Sequence, residues 1–324
     1  MSASRSSASP AAEAHDATEG TVGTGAPGRD RYLVIGNPIA HSRSPEIHAA
    51  FARQTGQALS YDRLLVPATP PEAFGRAVDR FFAQGGRGLN VTLPFKEHAF
   101  AHARRHSDRA RLAGAVNTLA LDGDTVVGDN TDGPGLVIDL RDRLGFDLAG
   151  KSVLLLGAGG AARGVVMSLL QAGVGALVVA NRTPARAERL ATQFNASPAL
   201  RAAALPPVGA VALSAARAAD LIVNATSSGV LAGGLALPPE LFEGCTLAYD
   251  CVYAAQPTAF MLQARRGGAS RTADGLGMLV EQAAESFLIW RGVRPATAPV
   301  YRMLRDAISA EAAGSDAAGA GDAR

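Results

Sequence analysis

Two cysteines in 324 residues, Cys245 and Cys251, are too few for a disulfide framework. Both read as small apolar residues of a protein kept in a reducing compartment, so the expected location is cytoplasmic. Charge of one sign is also missing. The 31 Lys and Arg residues against 29 Asp and Glu leave a net charge of +2, with the signs interspersed. No basic block is available for nucleic acid or a membrane surface, and neither is expected as a partner. No apolar run approaches a membrane span, and the first residues lack the hydrophobic stretch of a secretion signal. A metal site is not expected either. His98, His102 and His106 recur every four residues on one expected helix face, but Arg104, Arg105 and Arg109 would repel a cation there.

With 48% hydrophobic residues the chain can bury a sizeable core, and its length suggests two domains. Residues 1–29 are Ala, Ser, Gly, Thr and Pro with almost no large apolar side chain, and are expected to form a disordered tail. Residues 309–324, rich in Ala, Gly and Asp, are expected to be a second, flexible tail.

The strongest local signal is VLLLGAGGAARG, Val153 to Gly164. A continuous apolar strand stops at Gly157, turns through Ala158, Gly159 and Gly160, and opens an Ala-rich helix at Ala161, which presents free backbone N–H groups to a pyrophosphate. The pattern fits the G-x-G-x-x-A form of a dinucleotide fingerprint in its strand-to-helix context. One helix later the next strand ends in Asn181, Arg182 and Thr183, with Arg186 close behind, where an NAD site would carry an acidic residue. Arginines there suit a 2′-phosphate, so NADP is the expected cofactor.

About 120 ordered residues precede that fingerprint. They read as strands near Tyr32 to Ile35, Tyr61 to Val66 and Gly88 to Thr92, with helices from Ser44-Pro45, from Pro71 and from Pro94. From Gly133 onward, alternating strands and helices imply a parallel sheet with crossover helices. The apolar segment Gly275 to Trp290 suits a helix that returns to the first domain. The expected architecture is α/β with two domains. Residues 30–131 plus 276–308 form an α/β substrate-binding domain, residues 132–275 form a Rossmann-type parallel-sheet NADP domain, and the active site lies in the cleft between them.

Several residues suit chemistry beside a nicotinamide. Lys96 stands in the first turn of its helix, where the helix dipole disfavours a cation, a placement that makes it a candidate general acid or base. A surface lysine paired with Glu97 fits the sequence equally well. Asp132, in the turn-rich GDNTDGPG at the domain junction, is either the cap of the following helix or a carboxylate that orients Lys96. Ser42 and Ser44 offer two hydroxyls beside a helix N-terminus, a good carboxylate site, and Ser44 also suits the helix cap. Asn90 and Thr92 share one strand face. Asn117 can add a neutral donor and acceptor for a substrate hydroxyl.

At these residues the sequence resembles the shikimate/quinate dehydrogenase family. GNPIAHSRSPEIH, NVTLPFKEHAF, LAGAVNT, GDNTDG, GAGGAARG, NRTPAR, NATSSG and ADGLGMLVEQAA stand in family order between Tyr32 and Leu304. The resemblance implies NADPH-dependent, reversible reduction of 3-dehydroshikimate to shikimate, with Lys96 and Asp132 as the acid–base pair. It implies that Ser42 and Ser44 bind the substrate carboxylate, and that Asn90, Thr92, Asn117, Tyr253 and Gln282 complete the substrate site. Gly157, Ala158, Gly159, Gly160, Ala161, Asn181, Arg182, Thr183, Arg186, Thr226, Cys251 and Gly275 match cofactor contacts. Cys251 stands where methionine is frequent, and Arg43 where lysine is also common. A quinate/shikimate enzyme using NAD or NADP is the alternative within the family, and a non-catalytic ligand-binding regulator the one outside it. A homodimer is kept open.

Overall fold

The strand order explains how one chain makes two sites that meet. The computed structural model describes residues 28–194, 199–204, 219–226 and 237–321. The first sheet is built from β1 (Asp30–Gly36), β2 (Leu59–Leu65), β3 (Gly86–Val91), β4 (Arg105–His106), β5 (Thr118–Asp122) and β6 (Thr125–Asp129). Its order is β2-β1-β3-β5-β6-β4. The apolar run of β1 is buried along most of its length and pairs in parallel with both β2 and β3. Helices α1 (Ser44–Thr55), α2 (Glu72–Ala83), α3 (Lys96–His102) and α4 (Asp108–Ala113) connect these strands.

The second sheet contains β7 (Ser152–Leu156), β8 (Ala176–Asn181), β9 (Leu200–Ala204), β10 (Leu221–Asn224), β11 (Leu247–Asp250) and β12 (Arg271–Asp274), all parallel. Read from β9, its order is 3-2-1-4-5-6, the doubly wound arrangement whose crevice opens at the carboxyl ends of the first and fourth strands. Those strands are β7 and β10. Helices α6 (Gly160–Gln171), α7 (Pro184–Gln193) and α8 (Ala259–Arg266) flank the sheet in sequence.

Three helices join the halves: α5 (Asp132–Ile138), which continues through a π-helical turn at Asp139–Arg143, then α9 (Leu276–Arg291) and α10 (Ala298–Gly321). Leu276, Val280, Ala283, Ala284 and Phe287 of α9 pack with Tyr32, Val34, Ile47 and Phe51 in one core of the first half. Met278 of the same helix joins the core of the second sheet. A helix apolar around most of its circumference is thereby buried from two sides.

The structure adds a hairpin to the sequence expectations and departs from them in two helical segments. β5 and β6 form an antiparallel hairpin closed by Gly123 and Asp124, so the first sheet is mixed. Helix α3 ends at His102, and His106 lies in β4 rather than on the same helix face. Residues 309–321, read as tail, continue α10 to Gly321, because their alanines propagate an established helix at little cost. The expectation for residues 1–27 lies outside the described residues, as does that for residues 322–324.

Candidate active site

Parallel neighbours β1 and β3 end side by side, and the loops leaving them are tied together. Thr92 N–H donates to the Ile35 carbonyl at 2.9 Å and Asn37 N–H to the Leu93 carbonyl at 2.9 Å. The carboxyl end of these two strands thus carries both the Ser42–Ser44 loop and the start of α3. Phe95, buried against Phe74 with ring centroids 5.1 Å apart, anchors that start. Lys96 follows it and donates from Nζ to Asp132 Oδ2 at 2.6 Å. The side chains are 13% and 7% exposed, so the pair is shielded from bulk water on most sides. Of the two partners open to each residue, Lys96 takes Asp132 rather than Glu97, and Asp132 spends its carboxylate on Lys96 rather than on a helix cap.

A second oxygen holds the carboxylate in place. Asp132 Oδ1 accepts from Asn117 Nδ2 at 2.8 Å. The amide cannot be turned around, because Asn117 Oδ1 receives the Thr131 backbone N–H at 2.8 Å and that group only donates. Thr118 Oγ1 donates to the same Oδ1 at 2.9 Å. Gln282 Oε1 lies 3.4 Å from Asn117 Nδ2, which brings α9 into the group. Asn90 is engaged on both sides: its Oδ1 accepts from Tyr61 at 2.6 Å, and its Nδ2 donates to Ser286 Oγ at 2.9 Å. It therefore supports the site as a buried scaffold.

Sequence reasoning missed Thr131, Thr118 and Ser286. Ser286 carried a readable signal, since it stands four residues after Gln282 on the same face of one helix.

Ser44 is the first residue of α1, with Arg43 at the cap position and no side-chain cap bond, so the expected Ser44 cap is not formed. Ser42 Oγ instead approaches the Ser44 N–H at 3.4 Å and the Ser44 hydroxyl at 3.2 Å. Both hydroxyls stand at the opening of a helix, where an anion is favoured.

Several residues expected to hold the cofactor gather at the crevice between β7 and β10. Gly157 has φ of 108°, and a Cβ there would stand 3.0 Å from the Ala225 carbonyl and 3.2 Å from the Thr226 nitrogen. Only glycine suits both that conformation and that approach. Nothing lies within 4 Å of a Cβ on Gly159, which leaves the turn open in front of the first turn of α6. Thr226 is held by its hydroxyl on Asn224 Oδ1 at 2.7 Å. At the end of β8, Asn181 Nδ2 bonds the Thr183 carbonyl at 2.9 Å and shapes the turn that presents Arg182. Arg182 and Arg186 are exposed and make no ion pair among the described residues. An open glycine turn, a helix N-terminus and two free guanidinium groups fit a dinucleotide with a 2′-phosphate.

Family models match most of this architecture. A shikimate dehydrogenase substrate binding domain matches residues 34–119, a shikimate/quinate 5-dehydrogenase model residues 140–231, and a shikimate 5′-dehydrogenase C-terminal domain residues 275–305. A shikimate dehydrogenase (NADP(+)) of Dechloromonas aromatica is 52% identical over 278 residues, covering 85% of this chain and 97% of that one. The chain belongs to the shikimate dehydrogenase family. Among solved structures, an Ael1 enzyme from Pseudomonas putida matches with a TM-score of 0.78 at 42% identity, covering 85% of this chain and 98% of that one. The shikimate 5-dehydrogenase of Thermus thermophilus in complex with NADP(H) and shikimate matches with a TM-score of 0.74 at 38% identity, covering 86% and 99%.

The remaining residues that the family pattern singles out lie along the same cleft. Cys251 follows β11, and burial with the carboxylates of Asp250 and Asp132 nearby pushes its thiol up, so it stays a neutral, apolar surface. Gly275 packs on it so closely that a Cβ would fall 2.2 Å from the Cys251 carbonyl. Tyr253 is partly buried, which raises its phenol, while the guanidinium groups of Arg43 and Arg63 act in the opposite direction. Its hydroxyl makes no hydrogen bond among the described residues. The three histidines do not converge: His98 and His102 flank Phe74 from α3, with His102 paired to Asp79, while His106 in β4 bonds the Phe100 carbonyl. No group of metal-binding side chains occurs among the described residues.

Proposed function

We propose that this chain catalyses the NADP-dependent interconversion of shikimate and 3-dehydroshikimate, with Lys96 and Asp132 as its acid–base pair. The observation that carries this assignment is the 2.6 Å Lys96–Asp132 pair lying against the nucleotide turn, where a Cβ on Gly160 would stand 3.5 Å from Lys96 Cβ. Family membership supports the overall reaction.

The cofactor, when bound, supplies or accepts the hydride. Lys96 Nζ gives a proton to the substrate oxygen during reduction and takes one from the hydroxyl during oxidation. Asp132 holds the ammonium in line and neutralises its charge; Asn117 keeps the carboxylate from turning. Ser42 and Ser44 bind the substrate carboxylate with their hydroxyls. Thr92, Tyr253, Asn117 and Gln282 take the ring hydroxyls, and the scaffold residue Asn90 holds their surroundings. Arg182 and Arg186 meet the 2′-phosphate, Asn181 and Thr183 shape the turn that carries them, and the turn Gly157–Gly159 with the first residues of α6, Gly160 and Ala161, cradles the pyrophosphate. Thr226, Cys251 and Gly275 border the nicotinamide half.

No described helix is long and apolar enough to cross a membrane. Together with the biosynthetic role of the family, this supports a cytoplasmic enzyme. A homodimer is the assembly to test, by sedimentation.

Steady-state kinetics with shikimate and quinate, each with NADP and NAD, test the assignment. The highest kcat/KM is expected for shikimate with NADP. Faster turnover of quinate with NAD would replace this reading by the quinate one, and stabilisation by shikimate without any turnover would replace it by a binding role.

A further inference from the structure

The Ser42 peptide is held by an arginine that no motif singles out. β2 pairs with β1 in a register that sets Arg63 opposite Val34, and the Arg63 side chain reaches from there to the loop that follows β1. Its Nε donates to the Ser42 carbonyl at 2.8 Å, and its Nη2 donates to the same oxygen. Nη2 also bonds Glu46 in the first turn of α1, at 2.9 Å and 3.0 Å to the two carboxylate oxygens. One planar guanidinium therefore ties β2, the Ser42 carbonyl and the start of α1 together, a geometry that lysine does not reproduce. On the other side, Ser42 N–H donates to the Ile39 carbonyl at 3.0 Å. The peptide groups flanking Ser42 are thus fixed at both ends, and its hydroxyl stays beside Ser44.

We propose that Arg63 is a positioning residue for substrate binding. It acts through Ser42, by holding the Ser42 carbonyl so that hydroxyls and backbone N–H groups, rather than a carbonyl oxygen, line the carboxylate site. A carbonyl released into that site would set its negative end against the substrate's charge. This rests on the assignment of Ser42 and Ser44 to the carboxylate. Arg63 has a third of its side chain exposed, so its substitution leaves the core packing intact.

The test is a double-mutant cycle on KM for shikimate, with Arg63→Met, Ser42→Ala and both together. Arg63→Met is expected to raise that KM about five- to tenfold, the loss of roughly one hydrogen bond's discrimination. Its kcat and its KM for NADP stay within about twofold of the parent. In the Ser42→Ala background the same substitution adds less than about twofold, because the hydroxyl it positions is gone. Arg63→Lys, which keeps the charge but not the fork, leaves KM raised. Unchanged KM in Arg63→Met overturns the proposal. So does an equal factor in both backgrounds, which would make Arg63 a direct attractor of the substrate's charge. If Ser42→Ala itself leaves KM unchanged, the carboxylate assignment fails first and the role of Arg63 falls with it. An effect of Ser42→Ala without one of Arg63→Met removes only the latter.

Discussion

A methyl group on Gly160 would stand 3.5 Å from both Cβ and Cδ of Lys96. The first residue of α6 in the nucleotide half and the first residue of α3 in the substrate half therefore share one wall of the cleft. That approach brings the glycine turn proposed to hold the cofactor and the lysine proposed to carry the proton together without any element crossing between them. The consequences of this arrangement are open to measurement.

Cofactor choice should rest on Arg182 and Arg186, which are exposed at the end of β8 and make no ion pair among the described residues. Substituting either by alanine is expected to raise KM for NADP about ten- to a hundredfold, because each removes a charge-assisted contact to a phosphate. KM for NAD should change by less than about twofold. Parallel titrations of both cofactors check this, and equal losses for the two would assign the arginines to another task.

Gly133 should report how tightly α5 must approach α6. A Cβ there would lie 2.3 Å from Ser168 Oγ and 2.4 Å from the Gly164 carbonyl, and the latter is backbone that cannot rotate away. Gly133→Ala is expected to cost about 1–3 kcal/mol of stability by overpacking. It should also lower kcat, since Asp132 precedes it. Denaturant unfolding and turnover, measured on the same preparation, check both effects. Full stability in this variant would show that the two helices have room to part.

Acid should act on the fold through His48. The ring is fully buried, stacked on Tyr61 at 4.2 Å between Phe51, Phe287 and Trp290, and neither nitrogen has a hydrogen-bond partner among the described residues. Burial pushes its pKa down to about 3, and the nearby Asn90 side chain, which falls short of hydrogen-bond geometry, opposes this only in part. The unfolded chain therefore binds a proton from about pH 6.5 downward while the folded chain does not, so stability is complete above that value and falls as pH drops below it. The loss amounts to about 2 kcal/mol between pH 7 and pH 5. His48→Phe should flatten that slope in urea unfolding at the two pH values, whatever its baseline stability. An unchanged slope would place the acid response in other groups.

Much of this site was legible because its parts follow local rules. The strand-turn-helix from Val153 to Gly164 is readable from glycine spacing, and Arg182 from its place at the next strand end. Lys96 and Asp132 could be singled out by position and joined as a pair through the family resemblance, while the choice between that pairing and their alternatives, Glu97 and a helix cap, spans 36 residues and needed the fold. The hairpin of β5 and β6 carried its own signal, a Gly123-Asp124 turn between apolar runs, which the sequence reading passed over. The orientation of the Asn117 amide and the reach of Arg63 depend on atoms from distant segments. No pattern within either segment encodes them. The C-terminal helix was obscured by composition, since an alanine-rich end suits both a tail and a helix already begun by Val300 and Leu304 packing into the core.

The account stands most directly on the proton transfer assigned to Lys96. Lys96→Met keeps the stem of the side chain and removes the ammonium, so turnover of shikimate with NADP and calorimetric binding of shikimate together isolate its role. The account predicts a fall in kcat of about a thousandfold, as for loss of a general acid–base group, with shikimate affinity within a few-fold of the parent. A kcat close to that of the unaltered enzyme would contradict it.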